Sequence, residues 1–123
     1  MIAGARLVGF VASTDLGRSE QFYAGTLGLP LVDRSPFAVV VDGGGTQLRI
    51  TAVPAKADAL YTVCGWEVDD IDGAVDDLRG RGVEFLRFDG MEQDGRGIWR
   101  APSGARVAWF ADPDGNTLSL QGV

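Results

Sequence analysis

Histidine, the usual general base near neutral pH and the usual ligand of catalytic zinc, does not occur in the 123 residues of this chain. The single cysteine, Cys64, therefore has no imidazole partner that could activate it as a nucleophile. A general base would have to be a carboxylate, with Glu67 as the main candidate and Glu92 or Asp94 as alternatives. Mechanisms that depend on imidazole are excluded.

Arg49 is the clearest candidate for binding a charged ligand. Leu48 and Ile50 alternate with Gln47 and Arg49, which predicts a strand with an apolar face and a polar face. A guanidinium in a concave site could form a bidentate pair with a ligand carboxylate or phosphate. The alternative is that Arg49 pairs with an acidic residue such as Glu67 and only joins two parts of the protein.

The three tryptophans could either stack against a ligand or fill the core. Trp66 has the opposite strand parity to Val63 and is expected to pack under a helix. Trp99 and Trp109 lie on or beside predicted strands, where an indole could present a flat face to an aromatic ligand. For Trp109 a core position is the preferred interpretation.

Length and composition indicate one compact domain with a substantial core, since 46% of the residues are hydrophobic. The net charge of −6 argues against binding to a phosphate backbone. No apolar run approaches the roughly 18 residues of a membrane span, and no signal peptide is evident. We therefore expect a cytoplasmic protein that binds neither nucleic acid nor membranes.

One order of strands and helix occurs twice along the chain. In the first half, the predicted strands are 7–12, 29–32, 37–41 and 46–51, with a helix that starts after Thr14-Asp15 and ends at Gly28. In the second half, the predicted strands are 61–68, 83–86, 97–100 and the two arms of a hairpin within 105–120, with a helix over Ile71–Gly80. This pattern predicts two tandem βαβββ modules.

The hairpin Ala105–Leu120 turns at Asp112-Pro-Asp-Gly-Asn116, where the proline and the glycine favour chain reversal. This hairpin resembles the C-terminal signature of the vicinal-oxygen-chelate superfamily, which includes glyoxalase I, extradiol dioxygenases and bleomycin-resistance proteins. The resemblance covers nearly the whole chain. It implies an α+β fold in one domain, 1–123, whose modules (about 1–53 and 60–123, with a linker at about 54–59) form curved mixed sheets around a shared cleft.

Metal-dependent members of this superfamily use one ligand from each of four strands, commonly histidine or glutamate. The matching positions here carry Val8 (or Leu7), the face of Gln47 and Arg49, Val63, and Ser119. A catalytic divalent ion needs about three protein donors, and these side chains offer at most one weak oxygen ligand. These departures from the ligand pattern of the superfamily therefore predict a cleft without a metal and without another cofactor.

The predicted cleft would contact a ligand through side chains from both modules. The residues expected to line it are Phe10, Gln47, Arg49, Val63, Glu67, Trp99, Trp109 and Ser119. The loop Phe88–Gly97 could close over the cleft as a lid or could be a solvated connection.

The preferred function is that of a metal-free, glyoxalase/bleomycin-resistance-like protein that binds a small aromatic or acidic molecule. The first alternative is a lyase or isomerase of the same fold, which would use a carboxylate base, Glu67 or one in the 88–97 loop, without the usual metal. The second is a structural or regulatory dimer whose cleft is filled by side chains. A homodimer is expected in each case, since exposed sheet edges favour pairing.

Overall fold

The computed structural model describes residues 2–57 and 61–122. Its contacts divide the chain into two compact units, Met1–Ala57 and Asp58–Val123, which we call the N-terminal and C-terminal modules. The division falls inside the predicted linker. Residues 58 and 59 of that linker lie outside the described residues.

The N-terminal module is a four-stranded mixed sheet with a helix on one face. After a short 3₁₀ turn at Ile2–Gly4, its elements are β1 (Val8–Ser13), α1 (Leu16–Glu20), a π-helical segment (Gln21–Thr26), β2 (Leu31–Arg34), β3 (Ala38–Asp42) and β4 (Gln47–Ala52). The strand order is β1-β4-β3-β2, with β1 parallel to β4 and the other pairs antiparallel.

Helix α1 begins at the residue that the sequence indicates. The Asp15 carboxylate accepts a hydrogen bond of 3.1 Å from the backbone N–H of Arg18, an N-cap. The buried hydroxyls of Ser13 and Ser19 share a hydrogen bond of 2.6 Å, which joins the helix to β1. Helix α1 therefore covers the face of the sheet to which Ser13 belongs.

The second half of the predicted helix is wider than an α-helix. The Leu27 N–H donates to the carbonyl oxygen of Phe22 at 2.9 Å, five residues back, as in a π-helix. Gly28, with a φ of 74°, then ends the helix in a left-handed conformation that favours glycine. This segment buries the Tyr23 side chain completely.

The C-terminal module repeats the same topology. Its elements are β5 (Thr62–Glu67), α2 (Ile71–Gly80), β6 (Trp99–Arg100), β7 (Arg106–Ala111) and β8 (Thr117–Gly122). The strand order is β5-β8-β7-β6, with β5 parallel to β8 and the other pairs antiparallel. The predicted α+β class with two βαβββ modules is confirmed at the level of two four-stranded mixed sheets, each with its own helix.

Helix α2 has the predicted bounds and the predicted N-cap. The Asp70 carboxylate accepts a hydrogen bond of 3.0 Å from the Gly73 N–H. Ile71, Val75 and Leu78 are buried, as their helical spacing requires. A side-chain Cβ at Gly122 would lie 3.1 Å from the Cβ of Ile71, so α2 packs closely against the end of β8.

The predicted strand 83–86 is wrong. Its only ladder contact among the described residues is an isolated bridge between Phe85 and Phe110, with a hydrogen bond of 2.7 Å from the Leu86 N–H to the Trp109 carbonyl oxygen. The Leu86 carbonyl oxygen accepts from the side chain of Gln93 at 2.9 Å. Because a side chain replaces the second ladder partner, the segment follows β7 without becoming a strand.

None of the helices in the described part of the chain has the length and apolar character needed to cross a bilayer.

Candidate functional site

Each sheet has one face under its own helix and one open face. In the N-terminal module, Leu48 and Ile50 of β4 are buried, whereas Gln47 and Arg49 between them are exposed. Strand alternation therefore places Gln47 and Arg49 on the open face. Phe10 lies in register with Arg49 and is 65% exposed.

Arg49 stands between two apolar residues on this face. It is in register with Phe10 on β1 and with Val40 on β3. It forms no hydrogen bond or ion pair with the described residues of its own module. Its predicted pairing with Glu67, a residue of the other module, stays a prediction. The structure thus brings Phe10, Gln47 and Arg49 together on one sheet face, and no described residue of that module compensates the positive charge of Arg49.

In the C-terminal module, Trp109 and Ser119 are neighbours on the open face, and Ser119 lies next to a glycine, Gly65. Trp109 on β7 is in register with Ser119 on β8, and Ser119 is in register with Gly65 on β5. A Cβ at Gly65 would overlap the Ser119 hydroxyl and would lie 2.8 Å from the Ser119 carbonyl oxygen. The Ser119 side chain therefore occupies the space above Gly65.

Trp109 is the centre of an aromatic cluster on this face. Its ring centroid lies 6.1 Å from that of Trp99, with 36° between the ring planes, and 5.4 Å from that of Phe88, nearly perpendicular at 88°. We call Phe88, Trp99 and Trp109 the aromatic cluster. Phe88 is 40% exposed and both indoles are half-buried.

The preferred core position for Trp109 is wrong. Its neighbours Ala108 and Phe110 are fully buried and in register with the buried Leu120 and Leu118, so they form the helix-side face. Trp109 has the opposite parity and lies on the open face. Trp66, in register with Leu120, belongs to the helix-side face that the sequence predicts for it.

The loop that contributes Phe88 is held by the side chain of Gln93, which the sequence suggested as a residue that could close over a ligand and not as a structural one. The Gln93 Oε1 accepts a hydrogen bond of 2.8 Å from the Phe88 N–H, and its Nε2 donates to the carbonyl oxygens of Leu86 and Gly97 at 2.9 and 2.8 Å. Gln93 thereby fixes Phe88 beside Trp109. An aromatic residue at the start of a polar, glycine-rich loop is the signal that could have indicated Phe88.

The far end of the same loop is attached to α2. The Asp94 carboxylate accepts from the Ile98 N–H at 3.0 Å, and the Arg96 guanidinium donates to the Asp76 carboxylate at 2.8 and 3.0 Å. The loop is thus a structured wall beside the aromatic cluster, with hydrogen bonds at both ends.

Of the two β5 residues expected in the site, Val63 and Glu67, only Glu67 lies where the sequence predicts. Val63 was expected to share a face with Ser119, but it lies in a β-bulge between Thr62 and Cys64 and has no register partner on β8. Glu67 is exposed and in register with Gln121, and its parity is that of Gly65 on the open face.

Cys64 is half-buried and unsuited to nucleophilic chemistry. Burial, together with the negative charge of Asp112, raises the pKa of its thiol to about 11. The thiolate is therefore scarce near neutral pH.

Comparison with known families places the chain. The family model described as the glyoxalase/bleomycin resistance protein/dioxygenase superfamily matches residues 6–120. The chain belongs to this superfamily. Among curated proteins, no significant match is found.

Solved structures of similar fold support this membership. A superfamily member from Sphaerobacter thermophilus is 27% identical, with a TM-score of 0.78 and coverage of 100% of both chains. Lactoylglutathione lyase from Agrobacterium tumefaciens is 18% identical, with a TM-score of 0.75 and coverage of 98% of this chain and 95% of the other. A member from Alicyclobacillus acidocaldarius is 20% identical, with a TM-score of 0.73 and coverage of 97% and 91%. At these identities the last two show the fold alone.

The side chains at the metal positions implied by the resemblance do not fit the ligand set of the metal-dependent members. The N-terminal module offers Val8 with Gln47 and Arg49, and the C-terminal module offers Val63 and Ser119. A valine has no donor atom, a guanidinium repels a cation, and a neutral amide or hydroxyl oxygen is a weak ligand. Across residues 2–57 and 61–122, no group of three or more Cys, Asp or Glu is arranged to hold a metal ion.

Proposed function

We propose that this superfamily member is a metal-independent binding protein for a small aromatic molecule. The observation that carries the proposal is the aromatic cluster on the open face of the C-terminal sheet. Two indoles and a phenyl ring stand there on the side of the sheet away from α2. An aromatic ligand that stacks on them would gain roughly 0.5–1.5 kcal/mol per ring pair beyond the contribution of buried area.

The rigidity of the cluster supports a binding role. One hydrogen bond of the Gln93 amide holds the Phe88 backbone and two more hold Leu86 and Gly97 near it, and Ser119 over Gly65 lies beside Trp109. Because the loop backbone is fixed and the ring of Trp109 already contacts the other two rings, a ligand would lose little free energy in arranging them. The Ser119 hydroxyl could donate to, or accept from, a polar substituent of the ligand.

Arg49 is the proposed binding group for an acidic ligand. Its guanidinium has five N–H donors, and none of them is used by a described residue of its module. The Arg49→Gln variant is expected to weaken the binding of carboxylates more than that of the corresponding amides, for example benzoate compared with benzamide.

A thermal-shift experiment tests aromatic binding. Benzoate and phenylacetate are each compared with the saturated counterpart, cyclohexanecarboxylate and cyclohexylacetate, which keep the charge and similar bulk but lack a π-system. The aromatic acids are expected to raise the unfolding midpoint more than their counterparts. Equal shifts within each pair, or no shift with any aromatic compound, would contradict the proposal.

Metal independence has its own test in the same assay. Treatment with a chelator is expected to leave the ligand-induced shift unchanged, because no side chain of the proposed site depends on an ion. A stoichiometric metal in the purified protein, together with loss of ligand binding after chelation, would overturn the proposal that binding is metal-independent.

A carboxylate-dependent lyase or isomerase is the second candidate. Glu67 lines an open cavity of about 340 Å³ with Asp69, Ser103 and Gln121, in which a substrate proton could be abstracted. Turnover that survives chelation and is lost in Glu67→Gln, but not in Asp69→Asn, would favour this function over simple binding.

A further inference from the structure

A second cavity lies on the C-terminal module, where α2 ends. It encloses about 470 Å³ and is open to solvent, and its lining includes Arg79, Arg87, Arg96 and Glu84, with Gly82 and Gly95. Neither the aromatic cluster nor Glu67 contributes to it. Three guanidinium groups and one carboxylate around a single cavity are notable in a chain with a net charge of −6.

Arg96 is neutralised by the protein itself. Its guanidinium donates two hydrogen bonds to the Asp76 carboxylate, at 2.8 and 3.0 Å, and lies 3.7 Å from Asp72. The hydrogen bonds and charge of Asp76 raise the pKa of Arg96. Arg96 therefore forms a wall of the cavity and adds little net charge to it.

Arg87 is oriented by neutral groups and keeps its charge. Its Nη2 donates to the carbonyl oxygen of Asp94 at 2.6 Å and its Nη1 to that of Gln93 at 3.5 Å. Carbonyl oxygens fix a guanidinium without cancelling its charge, and three of its five N–H groups stay available. A pre-oriented guanidinium loses less freedom when it binds an anion.

Arg79, in the last turn of α2, supplies the second positive charge. Its guanidinium forms no hydrogen bond or ion pair with any described residue, although its charge contributes to lowering the pKa of Asp76. Glu84 is the one acidic residue of the cavity lining in the described part of the chain. Arg79 and Arg87 thus face a single carboxylate.

Two glycines form part of the cavity lining. A Cβ at Gly95 or at Gly82 would meet no atom within 4 Å, so the space beside them is unfilled. Gly82 also has a φ of 92°, which favours glycine where the chain leaves α2. The volume falls in the range of small-molecule sites, about 300–1,000 Å³.

We infer that this cavity binds a small oxyanion, a phosphate or dicarboxylate group, between the guanidinium groups of Arg79 and Arg87. Both groups present paired N–H donors, which match the oxygen spacing of carboxylates and phosphates. The site is independent of the aromatic cluster, so either could fail without the other.

Calorimetric titration of the full chain with inorganic phosphate and with malonate, at ionic strength held constant with sodium chloride, tests this inference. Saturable binding of at least one anion is expected. Arg79→Gln and Arg87→Gln should each weaken it by about tenfold or more, the effect of losing charged hydrogen bonds. Glu84→Gln should tighten it, because a repelling carboxylate is removed.

Arg81→Gln is the matched control, since Arg81 lies two residues from Arg79 but pairs with Asp77 at 3.2 Å and does not line the cavity. It should bind the anion as the unmodified chain does. The Arg79 guanidinium forms no hydrogen bond or ion pair with the described residues, so Arg79→Gln should keep the unfolding midpoint nearly unchanged, and a loss of binding at an unchanged midpoint would not be a folding defect. Heats no larger than those of sodium chloride, or unchanged affinity in Arg79→Gln, would overturn the inference.

Discussion

At the scale of single residues, the open face of the C-terminal sheet depends on the absence of a side chain at position 65. The Ser119 hydroxyl lies where a Cβ of residue 65 would be, and the Ser119 carbonyl oxygen is also within 2.8 Å of that point. A rotation of the serine side chain would remove only the first of these contacts. The backbone contact makes glycine necessary there, because relief would require the two strands to move apart.

Gly65→Ala is therefore expected to destabilise the protein by about 1–3 kcal/mol, the usual cost of overpacking. Gly9→Ala is the control, since Gly9 is also a strand glycine, but its Cβ would meet a side-chain atom, the Leu48 Cδ1, at 3.2 Å and a backbone oxygen, that of Gln47, only at 3.9 Å. Chemical denaturation of both variants measures the difference. Equal stability of the two variants would contradict the close approach of β5 and β8 at Ser119.

Cys64 gives a second prediction at this scale. Since burial and the charge of Asp112 raise its thiol pKa to about 11, alkylation by iodoacetamide at neutral pH should be slow in the folded protein. The rate should rise sharply in denaturant, where the pKa returns to its ordinary value. Rapid alkylation of the native protein would contradict the burial of the Cys64 thiol and its raised pKa.

At the scale of elements, ion pairs attach both the 88–97 loop and β7 to α2. Arg106 donates to Asp72 at 2.7 and 3.0 Å, and Arg96 donates to Asp76. These hydrogen bonds, aided by the arginine charges, lower the pKa values of Asp72 and Asp76 below their ordinary value of 3.8. One helix therefore fixes the wall of the aromatic cluster.

The direction of these shifts sets a pH dependence. A carboxylate whose pKa is lower in the folded state contributes stability that is present above its unfolded pKa and is lost as the pH falls through the folded value. The unfolding midpoint should therefore decrease as the pH falls below about 4. Asp76→Asn should flatten this decrease, whereas Asp89→Asn, which removes a loop carboxylate without an ion pair in the described part of the chain, should not.

The elements that local signals define were predictable from the sequence. Asp15 and Asp70 cap the two helices, and each of the eight observed strands overlaps a predicted strand, with ends that agree within a few residues. Segment 83–86 was predicted as a strand because its pattern is apolar and short. A side chain seven residues away, that of Gln93, takes the hydrogen bond that a strand would need, and no local pattern shows this.

The candidate site was predictable only in part, because it also depends on contacts between residues that are distant in the sequence. Alternation separates Trp109 from Ala108 and Phe110, but it does not say which set faces the helix. Pairing with Leu118 and Leu120 of β8 decides this, and that pairing is a property of the sheet. The bulge at Val63 also shifts the parity of β5 in a way that composition does not indicate.

At the scale of the whole molecule, an exposed strand at a sheet edge offers a surface for association with a second copy of the chain. Strand β2 is an edge of the N-terminal sheet and is exposed along its whole length, with Leu31 at 42% and Val32 at 51%. An exposed apolar edge strand favours pairing with a second copy. A homodimer is therefore expected in light scattering, and Val32→Lys should shift it toward the monomer. A monomer at all concentrations would contradict this expectation.

The central claim for the molecule is that aromatic ligands bind on the open face that bears Trp109. Phenylacetate titrated into the Trp66→Phe variant tests it most directly, because the tryptophans that remain to fluoresce are Trp99 and Trp109 of the aromatic cluster. The account predicts saturable quenching in this variant that is abolished by the further change Trp109→Leu and is much weaker with cyclohexylacetate. Quenching that survives Trp109→Leu, or equal responses to the two acids, would contradict it.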